Sequence, residues 1–410
     1  MVRILFIHPD LGIGGAERLV VDAALALKNS GNSVSFLTNH HDRDHCFEET
    51  RDGTLRVQTV GDWLPRSIFG RCYAFCAYLR MVYAAFYTTL YISRQEQIDI
   101  IFCDQISLGI PILKLAKNNP KIIFYCHFPD QLLSKKSSWI KSVYRMPLDY
   151  LEELTTGQAD KVLVNSKFTL RIFRETFKRL DLTPNVLYPS LNTKFFDETQ
   201  VADDELSLLL PKEPFVFLSI NRYERKKQLS IAIEAFSKLE TLLNRSEWER
   251  CHLILAGGYD FRVVENIEYY QELELLACKL KILNKVTLLR SPSDRQKIFL
   301  LRKCDCLVYT PENEHFGIVP LEGMYMEKPV IASNSGGPTE TIIHDSTGFL
   351  CENEEDFTKA MLKLVKDSSL AERMGKKGRK LVQQRFSFEG FADKLEFIIS
   401  ETLKSDKKRN

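Results

Sequence analysis

Short apolar runs of strand length recur along the 410 residues, each separated from the next by a stretch of helical character. In the first half they are "RILFIH", "SVSFLT", "IDIIFCD", "KIIFYCH" and "KVLVNS"; in the second, "FVFLSI", "HLILAGG", "KVTLLR", "DCLVYT", "PVIAS" and "GFLCE". Continuous apolar runs mark strands buried on both faces, and helices between them supply the crossovers of a parallel sheet. The pattern predicts an α/β protein built from doubly wound sheets. A chain of 410 residues exceeds what one core comfortably serves, so two such domains are expected. Between the two sets lies "PSLNTKFFDETQVADDELSLLLPKEP", polar, acidic and bracketed by prolines, which reads as a linker. The boundaries drawn are 1–191 for the first domain, 192–212 for the linker, 213–385 for the second domain, and 386–410 for a final amphipathic helix and basic tail. That last helix could pack on either domain. Two sheets joined in this way are expected to face each other across a shared cleft, where strand carboxyl ends bind ligands.

The first strand runs into "HPDLGIGGAERLV", with three glycines in four residues. A glycine-rich turn between strand and helix presents bare N–H groups and a helix dipole, both of which favour phosphate. The dinucleotide fingerprint G-x-G-x-x-G is met at Gly12 and Gly14 but fails at Glu17, and no Walker lysine follows. No acidic residue clearly ends the second strand either, which disfavours a nicotinamide dehydrogenase. With 56 basic and 54 acidic residues the net charge is only +2, giving no electrostatic reason to expect nucleic acid. The ten cysteines sit mostly in apolar stretches without a C-x-x-C pair, so they read as buried hydrophobes in a reducing compartment. The chain enters its first strand at once, and no cleavable signal peptide is expected.

The second half carries the richest polar pattern. In "NEHFGIVPLEGMYMEKPVIASNSGGPTETI", Glu314 and Glu322 stand eight apart around Gly317, Ile318, Val319 and Pro320. Proline suits the first turn of a helix, so Glu314 belongs to the preceding loop and Glu322 to the helix itself. The free N–H groups of Gly317 to Val319 could take a diphosphate, leaving a carboxylate on each side for the hydroxyls of two sugars. Upstream, "FVFLSINRYERKK" places Arg222 and Lys227 just past a strand's carboxyl end, where cations could neutralise a departing diphosphate. Two glutamates near a helix start could equally do no more than favour its dipole. "HHDRDHCFEE" contains Asp42 and Asp44 beside three histidines, but its spacing matches no standard zinc pattern, and no metal is expected.

One segment departs from a plain soluble enzyme. Residues 66–94, "RSIFGRCYAFCAYLRMVYAAFYTTLYISR", are crowded with aromatics, yet the unbroken apolar run Met81 to Ile92 is 12 residues long. Spanning a bilayer takes roughly 20. A helix lying on or re-entering a membrane is expected, with Tyr73, Tyr78, Tyr83, Phe86, Tyr87 and Tyr91 as its contacts. "KKSSWIKSVYRM" adds Lys135, Lys136 and Trp139 as a basic, aromatic platform for an anionic surface.

"GGAE" after the first strand, R-x4-K after the first strand of the second half and E-x7-E before a helix occur in this order over nearly the whole chain. Together they resemble the retaining glycosyltransferases of the two-Rossmann (GT-B) architecture. "CHFPDQLLSKK", "LYPSLN", "NRYERKK" and "NEHFGIVPLEGMYMEKPVIASNSGGP" further resemble the eukaryotic α-1,3/1,6-mannosyltransferases of dolichol-linked oligosaccharide assembly. The resemblance implies GDP-mannose as donor and dolichyl-diphosphate-linked Man-GlcNAc2 as acceptor, with no cofactor required. It implies the cytosolic face of the endoplasmic reticulum membrane as location, and other mannosyltransferases of the same pathway as candidate partners. It assigns Glu322 to the ribose, Glu314 to the mannose, Arg222 and Lys227 to the diphosphate, Gly14 and Gly15 to the donor from the first domain, and His127 to the donor sugar. Lys407 and Lys408 resemble a dilysine retrieval signal. The alternative is a related transferase using another nucleotide sugar or lipid acceptor.

Overall fold

The computed structural model describes residues 1–133, 139–199 and 214–404. The chain divides into two compact units: Met1–Ser190 with Phe388–Asn410, and Leu191–Ser387. The final helix, Phe388–Lys404, belongs to the first unit, where it packs on the helix Gly15–Asn29. Its buried face (Phe391, Leu395, Ile398 and Ile399) joins the cluster formed by Phe6, Leu19 and Ala23.

In the first unit, β1 (Arg3–His8), β2 (Ser33–Thr38), β3 (Arg56–Thr59), β4 (Ile100–Asp104), β5 (Lys121–Cys126), β6 (Lys161–Val164) and β7 (Asn185–Val186) make one sheet in the order β3-β2-β1-β4-β5-β6-β7. All its strand pairs are parallel. The central strands are buried along nearly their whole length because helices cover both faces. Phe6 shows how the register is pinned. Its ring lies 5.0 Å from that of Phe36 and 4.8 Å from that of Phe102, one on each neighbouring strand. Burial of such a ring contributes about 1.5–3 kcal/mol.

The second unit holds β8 (Phe215–Ile220), β9 (Cys251–Gly257), β10 (Val286–Arg290), β11 (Cys306–Tyr309), β12 (Val330–Ser333) and β13 (Gly348–Cys351), again parallel, in the order β10-β9-β8-β11-β12-β13. In both sheets the order reverses beside the first strand, between β1 and β4 and between β8 and β11. Connections leaving those two strands diverge to opposite faces, so their carboxyl ends leave a crevice where ligands settle. The chemistry-bearing residues follow those strands.

Candidate active site

In the second unit, β8 ends at Ile220 and the chain turns through Arg225–Lys227, while β11 ends at Tyr309 and leads to Glu314. Lys227 Nζ donates to Glu314 Oε2. Tyr309 Oη donates to the same oxygen at 3.2 Å. Thr310 Oγ1 donates to the Lys227 carbonyl at 2.7 Å, and Ser333 Oγ to the Thr310 carbonyl at 2.7 Å. The two loops are therefore tied together by their backbones as well as by their charges. Burial alone would raise the Glu314 carboxyl, but the Lys227 charge and hydrogen bond outweigh it and hold the group below its ordinary value. The site thus carries a fixed anion and a fixed cation side by side.

The loop that carries Glu314 is shaped by glycines further along. Gly337 N donates to the Glu314 carbonyl at 2.8 Å. A Cβ on Gly337 would stand 2.1 Å from the Phe316 carbonyl oxygen, and one on Gly336 2.4 Å from that of Glu314. Only hydrogen fits between these backbones, which gives "SGGP" its reason. Gly317, with φ 78°, then opens the helix Ile318–Tyr325 from the left-handed region. The first N–H groups of that helix have no partner within it.

Glu322 lies inside this helix, 7 % exposed. Lys297 Nζ donates to its Oε1 at 2.6 Å, while its buried Oε2 has no hydrogen-bond partner among the described residues. That oxygen keeps its capacity to accept a hydrogen bond. Lys297 comes from the helix Asp294–Lys303 and was not singled out in the sequence; a lysine in a solvated-looking helix gives no local signal. Arg222 is 62 % exposed and pairs with Glu224 at 2.9 Å. Among the described residues it shares no hydrogen bond or ion pair with Lys227, Glu314 or Glu322. Of the quartet expected from sequence, Lys227 and Glu314 pair with each other, Glu322 pairs with Lys297, and Arg222 pairs with Glu224 at the surface.

In the first unit, Gly14 precedes the helix Gly15–Asn29, and an open pocket of about 380 Å³ lined by Asp10, Gly12, Ile13, Glu17, His40, Asp42, His45 and Arg66 lies over the glycine loop. His127 follows β5, half-buried, its Nε2 3.0 Å from Asp104 Oδ2 at the end of β4. His8, ending β1, places Nδ1 2.7 Å from Asp104 Oδ1. Register explains the meeting: Ile7 pairs with Cys103 and Asp104 with Tyr125, so three strand ends converge. Asp42 accepts from the Asp44 backbone N–H, His40 pairs with Asp62 and His41 with Thr50. Among the described residues no group of three His, Cys, Asp or Glu side chains is placed to hold a metal ion.

The helix Tyr73–Tyr87 and the wide turn Thr88–Ile92 present Tyr73, Phe86 and Tyr91 to solvent, with Phe75, Leu79 and Leu90, which sequence reasoning missed. Tyr83 and Tyr87 are half-buried. Tyr78 corrects the expectation: it is 3 % exposed and donates to Asp130, on the face that also buries Met81 and Ala85. Trp139 is exposed, whereas Lys135 and Lys136 lie outside the described residues, as do most of the linker and the terminal lysines. No helix among the described residues is long and apolar enough to cross a membrane.

Two doubly wound parallel sheets, each with charged side chains just past the strands where its order reverses, are in keeping with a glycosyltransferase of the GT-B type, and comparison with known proteins shows that class. Residues 13–190 match Glycosyltransferase Family 4, and residues 202–381 match the glycosyl transferases of group 1. In overall fold the chain is similar to sucrose-phosphate synthase from Thermosynechococcus elongatus, with a TM-score of 0.77 at 21% identity, covering 98% of this chain and 99% of that one. It is 53% identical over 405 residues to the human alpha-1,3/1,6-mannosyltransferase ALG2, covering 98% of this chain and 96% of that protein. The mouse protein of the same name is 52% identical over the same spans. The chain belongs to this family of α-1,3/1,6-mannosyltransferases.

Proposed function

We propose that the protein transfers mannose from GDP-mannose to dolichyl-diphosphate-linked Man-GlcNAc2, adding an α-1,3 and an α-1,6 mannose with retention of configuration. The Lys227–Glu314 pair carries this reading. A nucleotide-sugar diphosphate competes for the ammonium while the hexose hydroxyls donate to the carboxylate, so one ion pair is exchanged for two contacts with the donor. Arg222, exposed beside Glu224, supplies a second cation to the diphosphate. The unpartnered Glu322 oxygen accepts from the ribose hydroxyls, with Lys297 fixing the carboxylate's orientation. The N–H groups of Gly317, Ile318 and Val319 take phosphate oxygens. Gly14 and Gly15 are assigned to the donor diphosphate and His127 to its sugar on the motifs in which they stand.

In the transfer itself the bond from mannose C1 to the phosphate oxygen breaks as the acceptor hydroxyl attacks C1 from the same face. The hydroxyl's proton passes to the leaving phosphate oxygen, and GDP departs. No side chain need act as base; the protein contributes charge at the diphosphate and positioning of both sugars. The acceptor's lipid places the reaction at the endoplasmic reticulum membrane, where the exposed aromatics of residues 73–91 and Trp139 supply the contact. A shallow apolar hollow of about 330 Å³ there, lined by Phe86, Leu90 and Leu115 and rimmed by Arg94 and Lys117, suits acyl chains beneath anionic headgroups. The test is to incubate purified protein with GDP-mannose and a short-chain lipid-diphosphate Man-GlcNAc2. Two successive hexose additions by the wild type, lost in a folded Lys227→Ala variant, support the reading; no addition with GDP-mannose refutes it.

A further inference from the structure

His8, Asp104 and Glu17 have no role in the transfer as set out above, yet they form a buried polar chain that ends on His127. His8 and Asp104 are each 1 % exposed. Asp104 faces His8 Nδ1 with both oxygens, at 2.7 and 2.9 Å, and His127 Nε2 with Oδ2 at 3.0 Å. A carboxylate can only accept, so both ring nitrogens facing it carry hydrogen. That fixes the His127 tautomer and leaves Nδ1 as its remaining polar atom. On the other side, His8 Nε2 is buried without a hydrogen-bond partner among the described residues, 3.6 Å from Glu17 Oε1. Glu17 is the acid of "GGAE", and a Cβ on Gly14 would stand 2.2 Å from its Oε2. The glutamate that breaks the dinucleotide fingerprint therefore folds back over the glycine loop and reaches into the sheet.

We propose that Asp104 is a positioning residue for His127, held in place by His8, and that Glu17 links this chain of contacts to the glycine loop. The inference rests on the assignment of His127 to the donor sugar. The charges are mutually supporting. Burial would lower the His8 imidazolium, but the charge and hydrogen bond of Asp104, with the nearby Glu17 carboxylate, override it and raise its pKa to about 10. Burial would likewise raise Asp104, and the two histidines keep it lowered. At neutral pH His8 is then an imidazolium facing the Asp104 carboxylate, with Glu17 as the second anion.

The experiment is a double-mutant cycle on the full chain. Wild type and His127→Ala are assayed first with GDP-mannose and the lipid acceptor; an inactive wild type, or an unimpaired His127→Ala, overturns the assignment of His127 rather than the link. With that assignment standing, Asp104→Asn is expected to lower kcat about 10- to 100-fold with KM for GDP-mannose changed less than about threefold. In the His127→Ala background the same substitution is expected to cost less than about twofold. Glu17→Gln, on a partly exposed side chain, repeats the cycle should Asp104→Asn unfold. The ¹⁵N spectrum of histidine-labelled protein gives a second readout, with the His127 signal identified by its loss in His127→Ala. It is expected to show the Nε2–H tautomer in wild type and a tautomer mixture in Asp104→Asn, or in Glu17→Gln where that variant replaces it. Full losses in both backgrounds, wild-type kcat in both folded variants, or an unchanged tautomer would overturn the proposal.

Discussion

Replacing Lys227 by alanine leaves Glu314 without the cation that holds it ionised, and removes the charge that meets the diphosphate. Transfer is expected to fall about a hundred- to a thousand-fold, the loss typical of one preorganised electrostatic partner. Both side chains are largely buried, 13 % and 22 % exposed, so leaving Glu314 without its partner is expected to cost about 1–3 kcal/mol, measurable as a shift in denaturant midpoint. Lys297→Ala acts one step removed: it loosens Glu322 and should raise KM for GDP-mannose about tenfold, equivalent to about 1.4 kcal/mol, with a smaller change in kcat. The His8 imidazolium gives a pH signature. Its folded pKa, raised to about 10, exceeds the ordinary value of 6.5, so its contribution to stability is fully present below pH 6.5 and is lost as pH rises toward 10. The groups facing it are Asp104 from β4 and Glu17 from the helix after β1, with His127 beyond Asp104. The melting-temperature gap between wild type and His8→Gln should therefore narrow over that range; a constant gap would contradict a charged His8. Glu314, Glu322 and Lys227 were legible because each sits a few residues from a strand end or helix start in a local pattern. His8 and Asp104, 96 positions apart, were not, since only the strand order β1-β4-β5 brings them together. The available signal was a polar residue closing an otherwise apolar strand.

At the scale of elements, the loop between β11 and its helix depends on glycines that follow β12. Gly337→Ala would press a methyl group into the Phe316 carbonyl, backbone that cannot rotate away. A loss of about 1–3 kcal/mol in stability is expected, together with reduced transfer because Glu314 moves with the loop; chemical denaturation and a kcat assay check both. The aromatic helix makes the opposite case. Leu79→Ser with Phe86→Ser changes two exposed side chains, so the melting temperature should hold within a degree or two while binding to anionic vesicles weakens. Sequence patterning found this helix and misjudged one face of it. Tyr78 belongs to the stripe with Met81 and Ala85 that packs inward, and an aromatic-rich segment hides such a stripe because its inward and outward residues are alike in hydropathy. The edge strands β3 and β7 escaped notice for a simpler reason: four and two residues long, one of them polar at every second position, they carry no apolar run.

For the molecule as a whole, eleven apolar runs sufficed to foresee two doubly wound sheets, because strands buried on both faces must be apolar throughout. The return of the final helix to the first unit was left open, since an amphipathic helix states which face it buries and not against what. What the two sheets have in common is the placement of charge just past the strands where their order reverses: His8, Asp104 and His127 in one, Lys227 and Glu314 in the other. The central claim is that the second set reads a nucleotide diphosphate and its sugar together. Calorimetric titration of GDP-mannose, GDP and mannose into wild type and Glu314→Ala tests it most directly. GDP-mannose should bind wild type more tightly than GDP does, and in Glu314→Ala the two should bind alike. Equal affinity of GDP and GDP-mannose for wild type, or a preference that survives removal of Glu314, would contradict it.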